Sequence, residues 1–189
     1  MLFVVSVGLG VVYARLGVPF GDEGAMLTNA ARLLRGAVFY RDLDAYPFPL
    51  ATWVLAFSMK AFGEHFTVAR ALAVVLNVIM VLSLYATALR LLEPRRAALF
   101  GIFLLALKPL AWPAFTFYLY SEFAFAFTCA SVALLTFGFG RPVRLVFAGL
   151  CASAVVLSKQ NLGFGLVFAS TLVLLAPGLR AVEAEGKQR

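Results

Sequence analysis

Two neighbouring carboxylates, Asp22 and Glu23, stand directly after the first apolar run of the chain. Carboxylates at a membrane interface are expensive to desolvate, and they earn a place there as a base, a metal ligand or the partner of a cation. A structural role competes with these. Acidic side chains also favour the first turn of a helix, where they meet unsatisfied N–H groups and the positive end of the helix dipole. A third acid, Glu122, follows Tyr118, Tyr120 and Ser121 at the start of another apolar run. It is either a functional group at membrane depth or an acid in the headgroup zone. Asp22, Glu23 and Glu122 could together gather a hard divalent cation through oxygen ligands. The single histidine, His65, has no second imidazole to pair with, and Cys129 and Cys151 lie inside apolar runs. Neither a zinc site nor a disulfide is expected.

The elements that must position these groups are membrane helices. Of the 189 residues 63% are hydrophobic and 13% charged, with a mean hydropathy of +0.95. Soluble domains run about 45–50% apolar and about 25% charged, and one soluble core of this size could not bury such an excess. The net charge of +7 and pI of about 9.9 raise the question of nucleic acid. No basic cluster interleaved with aromatics answers it, whereas base accumulates in the cytoplasmic loops of membrane proteins. A Gly-rich nucleotide loop is also missing from the sequence.

A hydrocarbon core about 30 Å thick takes roughly 20 apolar residues to cross, and six runs are candidates. Leu2 to about Phe20, interrupted by Arg15, has neither a basic start nor a cleavage site and reads as an anchor. Thr67 to Leu92 closes on Arg90, with Pro94 stopping the helix before Arg95 and Arg96. Then come Ala97 to about Leu107, Phe117 to Phe137, Leu145 to Leu157 and Leu162 to Leu175. Several are short, which implies tilting. The connections bearing Arg90/Arg95/Arg96, Arg141/Arg144 and Arg180/Lys187/Arg189 belong in the cytoplasm; the alternating ones carry only Lys108 and Lys159. The N-terminus is then cytoplasmic and residues 21–66 are extracytoplasmic.

That first external loop holds five of the nine acids: Asp22, Glu23, Asp42, Asp44 and Glu64. Ala25, Met26, Ala30, Leu33, Leu34 and Val38 recur at helical spacing beside Arg32 and Arg35, a pattern suited to a helix on the membrane surface. Gly36 ends it, and Tyr40-Arg41-Asp42 begins an extended stretch. Pro47 and Pro49 lead into Leu50 to Phe62, too short for a span and containing Lys60, so interfacial or re-entrant. The expected fold is all-α: a polytopic transmembrane bundle of about six spans, with interfacial amphipathic helices in the first external loop. Residues 1–180 form one transmembrane module and 181–189 a polar cytoplasmic tail.

The ordered set Asp22-Glu23, Gly36…Tyr40-Arg41-Asp42, Pro47/Pro49, Phe62-Gly63 and Arg70 resembles the N-terminal half of the GT-C class of membrane glycosyltransferases. The nearest branch looks like the dolichyl-phosphate-mannose protein mannosyltransferase superfamily, including bacterial relatives that use polyprenyl-phosphate sugars. The resemblance implies an extracytoplasmic, inverting transfer of a sugar from a polyprenyl-phosphate-linked donor to a hydroxyl on a glycan, lipid or protein acceptor. It makes Asp22 the general base, supported by Glu23, and Glu122 the second acid or a ligand to acceptor or metal. Lys159 would hold the donor phosphate, with Arg70 and Arg41 as further phosphate candidates, and Tyr40, Tyr46 and Trp53 as a sugar platform. A divalent cation is the cofactor to consider, and the bacterial inner (plasma) membrane the expected location. Full members of the class are longer, so the chain corresponds to their N-terminal transmembrane module. Two other functions compete: a catalytically inert membrane scaffold of the same family, and a small membrane transporter. The transporter would predict repeated halves with broken helices, and the sequence has no convincing internal repeat.

Overall fold

The computed structural model describes residues 1–17, 21–43, 48–110, 116–138 and 141–175, and among these it is helical throughout, without a named strand. The order is α1 (Leu2–Ala14), α2 (Gly21–Leu34), α3 (Leu50–Phe62), α4 (Phe66–Leu91), α5 (Pro94–Leu110), α6 (Tyr120–Thr136), α7 (Pro142–Val156) and α8 (Gln160–Leu175). Among the described residues α4, with 26 residues, is the one helix both long and apolar enough to cross a bilayer. At 1.5 Å rise per residue, the 17 residues of α6 reach about 25 Å.

α4 is the hub, with α1, α5 and α6 packed around it. Its buried positions, Ala69, Ala73, Leu76, Asn77, Met80 and Val81, recur at three- and four-residue intervals and so share a stripe. Small residues bring the helices close. A Cβ added to Gly10 of α1 would sit 2.9 Å from Val74 of α4. Ser131 of α6 donates to the Ala148 carbonyl of α7 at 2.9 Å, and Gly163 lets α8 lie against the backbone of Val156. Pro94 does more than stop α4: it opens α5, where a missing N–H costs nothing.

The outward faces are apolar. Phe3, Ile102, Phe103, Phe147, Phe164 and Phe168 are each more than half exposed. Soluble monomers rarely expose apolar patches beyond a few hundred Å², and lipid is the solvent that accepts this surface.

The segment carrying α2 and α3 departs from the surface-helix expectation in one respect. The apolar stripe of α2, Met26, Ala30 and Leu33, is buried, and α2 packs on α3. The Thr52 hydroxyl reaches the Met26 sulfur at 3.6 Å. α3 in turn leaves Trp53, Phe57 and Phe62 exposed, with the Trp53 and Phe57 rings stacked 5.5 Å apart.

Residues 36–43 form a tight turn, not the extended stretch expected from the sequence. The Asp42 carboxylate accepts from the Val38 N–H at 2.8 Å and from Arg41 at 2.8 and 3.0 Å, and Arg32 donates to the Asp42 carbonyl at 2.7 Å. A short aspartate side chain that captures a nearby amide competes with extended pairing. Gly36 (φ 92°) and Tyr40 (φ 64°) take the left-handed conformations that close the turn, and Leu43 is buried beneath it.

Candidate functional site

One end of the bundle collects the C-terminal ends of α1, α5 and α7 and the starts of α2, α3, α4, α6 and α8. Cross-bonds fix this end. Arg70, in the first turns of α4, donates to the carbonyls of Ala14, the last residue of α1, and of Leu16 just past it, at 3.3 and 3.2 Å. The Leu50 N–H donates to the Leu157 carbonyl at 3.0 Å, and the Tyr118 hydroxyl to the Ala51 carbonyl at 2.8 Å.

Four buried charged side chains lie at this end: Glu23, Arg70, Lys108 and Glu122. Arg70 Nε and Nη2 meet the two Glu23 oxygens at 2.8 and 2.9 Å, a two-pronged pair with both partners almost wholly excluded from solvent. Glu23 also accepts the Tyr118 N–H at 3.2 Å, and the Phe117 ring lies 4.4 Å from the Arg70 guanidinium carbon. The guanidinium is thus saturated by carboxylate, carbonyls and an aromatic face, the planar bidentate arrangement for which arginine is suited and lysine is not. Such a pair survives burial because the remaining donors and lone pairs are also satisfied.

Glu122, in the first turn of α6, is 7% exposed, and neither of its carboxylate oxygens has a hydrogen-bond partner among the described residues. The charge of Lys108, in the last turn of α5, acts on it across the core. Two acids and two bases therefore balance in this buried set.

Lys159 lies in the α7–α8 turn. Its ammonium donates to Ser121 Oγ at 2.9 Å and sits 5.6 Å from the centre of the Tyr120 ring. Ser121 precedes Glu122, so Lys159 and Glu122 are brought to the same helix start. Asp22 occupies the first turn of α2 beside Glu23 but is exposed, and no described residue bonds to it. Arg41 is an exposed partner of Asp42 in the loop turn, and the guanidinium beside Asp42 holds that carboxyl at about 2, below the usual carboxylate value.

The aromatic candidates are dispersed. Tyr40 is 60% exposed and meets Phe39 edge-on at 5.4 Å, Trp53 pairs with Phe57 on α3, and Tyr46 lies outside the described residues. Among the described residues no group of three or more His, Cys, Asp or Glu side chains is placed to hold a metal ion. Asp22, Glu23 and Glu122 therefore do not gather around one point, and Glu23 is already committed to Arg70.

Three members of this end were not singled out from the sequence: Lys108, Tyr118 and Ser121. Lys108 carried a readable signal, a lone cation in an apolar run immediately before Pro109. Tyr118 and Ser121 carried none, because their contacts span 95 and 38 residues of chain.

The family model of dolichyl-phosphate-mannose-protein mannosyltransferases matches residues 46–185, about three quarters of the chain. No curated protein and no solved structure matches it. The match takes in Arg70, Lys108, Glu122 and Lys159, and leaves Asp22 and Glu23 on the segment before it. With the all-helical bundle, its lipid-compatible surface and the buried charges at one end, the match establishes that this chain belongs to the dolichyl-phosphate-mannose-protein mannosyltransferase family, within the GT-C superfamily of membrane glycosyltransferases.

Proposed function

We propose that the charged end of the bundle faces the extracytoplasmic side and transfers a sugar from a polyprenyl-phosphate-linked donor to an acceptor hydroxyl. Asp22 is the base. The observation that carries this reading is the opposite fate of two adjacent acids: Glu23 is buried and paired with Arg70, while Asp22 is exposed and its carboxylate has no partner among the described residues. Glu23 and Arg70 are positioning residues. Their pairing fixes the first turn of α2 against the ends of α1 and α4 and so fixes where Asp22 stands.

In the reaction, the Asp22 carboxylate takes the proton from the acceptor O–H. The acceptor oxygen forms its bond to the anomeric carbon as the bond from that carbon to the phosphate oxygen breaks. The electron pair leaves with the phosphate, and attack opposite the leaving group inverts the anomeric centre. The donor's phosphodiester carries one negative charge and the released polyprenyl phosphate one more, so the cation holding it acts where charge develops. Lys159 suits this role best. Among the described residues its partners are a hydroxyl and an aromatic ring, whereas Arg70 and Arg41 each already serve a carboxylate. The orientation agrees with the base-rich α4–α5 and α6–α7 turns, Arg90/Arg95/Arg96 and Arg141/Arg144, at the opposite end.

The test is sugar transfer from a synthetic polyprenyl-phosphate sugar in proteoliposomes, comparing wild type with Asp22→Asn. Loss of a general base lowers kcat by roughly 10²–10⁴-fold, with the donor KM little changed and one inverted anomer in the wild-type product. An Asp22→Asn variant that transfers at the wild-type rate would remove Asp22 from the chemistry.

A further inference from the structure

Glu122 is the buried titratable group that the reaction above leaves unused, and its neighbour Glu23 shows what it lacks. Glu23 accepts three hydrogen bonds, two from Arg70 and one from the Tyr118 N–H. Glu122 is 7% exposed, yet among the described residues neither of its oxygens meets a donor, that of Lys108 included. A carboxylate taken out of water without donors is among the costliest groups a protein can bury, whereas the neutral acid forgoes far less. Its place in the first turn of α6 favours a negative charge, but the helix dipole is the smaller of the two effects. We propose that Glu122 is a proton-binding site: in the closed bundle it stands as a neutral acid, and release of that proton opens the first turn of α6, which seats Lys159. A proton site of this kind stands whether or not the chain transfers sugar.

The groups facing Glu122 pull in opposite directions. Lys108, at the end of α5, attracts a carboxylate there, and Glu23, at the start of α2, repels it. Arg70 of α4 is committed to Glu23 and to two backbone carbonyls. The Tyr118 hydroxyl is spent on the Ala51 carbonyl, and Lys159 of the α7–α8 turn donates to Ser121. Lys60 of α3 is exposed, and Arg144 of α7 donates to the Phe137 carbonyl at the far end of α6. The remaining titratable groups are Tyr120 and Cys129 on α6 and Cys151 on α7; α8 bears none.

The proton reaches the neighbouring site through a turn with few other fastenings. Leu119, the residue before α6, makes no side-chain cap. The first backbone bond of the helix runs from the Phe123 N–H to the Leu119 carbonyl at 2.9 Å. Inside that turn Ser121 accepts from the Lys159 ammonium at 2.9 Å, and the Tyr120 ring centre lies 5.6 Å from it. A bare charge at Glu122, repelled by Glu23 and without donors, drives the turn toward water and parts Lys159 from both partners. The closed turn keeps the proton, and the wetted turn, where the carboxyl behaves as an exposed one, gives it up. Binding more protons than the opened turn, the closed turn loses stability as pH rises.

The test uses the full chain in dodecyl maltoside, a detergent with no carbonyl of its own. At neutral pH the infrared spectrum should contain the C=O band of a neutral carboxylic acid. Glutamate carrying heavy carbon in its carboxyl should move the band, which assigns it to a glutamate without any substitution, and Glu122→Gln should abolish it. Amide hydrogen exchange at Phe123 is the second readout. Over the interval in which the wetted turn releases the proton and the closed turn keeps it, each pH unit should favour opening roughly tenfold. Wild-type exchange then climbs by that factor beyond the intrinsic base-catalysed rise, while Glu122→Gln, with no proton to lose, follows the intrinsic rise alone. The Phe137 amide, bonded to the Ala133 carbonyl at the other end of α6, is the reference within the wild type and serves even where the variant misfolds. A missing band at neutral pH would mean an ionised Glu122, hydrated or drawn onto Lys108, and would overturn the proposal. Equal pH slopes at Phe123 and Phe137 in the wild type, or at Phe123 in wild type and variant, would do the same.

Discussion

Replacing Arg70 by methionine is the sharpest perturbation of this molecule. Arg70 is 3% exposed and makes four hydrogen bonds, two to Glu23 and one each to the carbonyls of Ala14 and Leu16. Removing it leaves the Glu23 carboxylate buried with the Tyr118 N–H as its one remaining donor among the described residues. An uncompensated buried charge of this kind costs about 3–5 kcal/mol, a large part of a total stability of roughly 5–15 kcal/mol. Arg70→Lys keeps the charge but not the two-pronged geometry, and should cost about 1.5–3 kcal/mol for the charged hydrogen bonds forgone. Glu23→Leu combined with Arg70→Met removes both charges and should cost less than either single change, the remainder coming mainly from the orphaned Tyr118 amide at about 1–3 kcal/mol. The assay is reversible unfolding in bicelles titrated with dodecyl sulfate, read as a double-mutant cycle. Costs for the double variant equal to the sum of the two single ones would show that the groups do not interact, and the pair would lose its place as the clamp on α2.

Other consequences are as direct. Lys159→Ala should raise the donor KM by roughly ten- to a hundredfold, the worth of a charge-assisted contact, while Lys159→Arg retains most of the binding; steady-state transfer at varied donor separates the two. Gly163→Ala should destabilise by about 1–3 kcal/mol, because the added methyl strikes the Val156 backbone and α7 and α8 must part; Gly165→Ala, with open space around it, is the control in the same melt. Asp42 titrates at about 2 in the folded loop against an ordinary 3.8, so its contribution to the loop is complete above pH 3.8 and is lost as pH falls toward 2. Hydrogen exchange at the Val38 amide should accordingly speed up over that interval, and Asp42→Asn should speed it up at neutral pH.

Much of the architecture was written in the apolar runs. The boundaries of α4 and α3, read as Thr67 to Leu92 and Leu50 to Phe62, lie within a residue of the helices observed, because the long uncharged stretch between Arg70 and Arg90 and a proline-led start leave few alternatives. The loop at residues 36–43 was not legible. Tyr40-Arg41-Asp42 reads as the start of an extended stretch, but the turn is decided by an aspartate capturing an amide four residues back and by Arg32 ten residues away. The different fates of Asp22 and Glu23 were legible in principle. Glu23, Met26, Ala30 and Leu33 form one buried stripe, so Glu23 continues the apolar face of its helix while Asp22 is turned about 100° from it. What the stripe could not announce was the partner, since Arg70 lies 47 residues away.

The charge balance decides which cation can receive a phosphate. Glu23, Arg70, Lys108 and Glu122 form a buried set of two acids and two bases, of which Glu23 and Arg70 are paired directly. Admitting a phosphate to Arg70 would require breaking a desolvated ion pair, and the Glu23 carboxylate left behind would carry the full penalty of burial. Arg41 sits in the loop turn, where it serves Asp42. Lys159 alone among the three candidate cations can accept an anion by exchanging a hydroxyl contact, at a net cost of about 0.5–1.5 kcal/mol for the hydrogen bond to Ser121. The ranking has a consequence that separates it from general electrostatic attraction. Ser121→Ala should leave donor binding unchanged or strengthen it, because the ammonium loses a competing partner, whereas Arg41→Ala should change donor KM little at any ionic strength. A Ser121→Ala variant that loses donor affinity as severely as Lys159→Ala would mean that the hydroxyl itself contacts the ligand and that the cation is not the principal determinant.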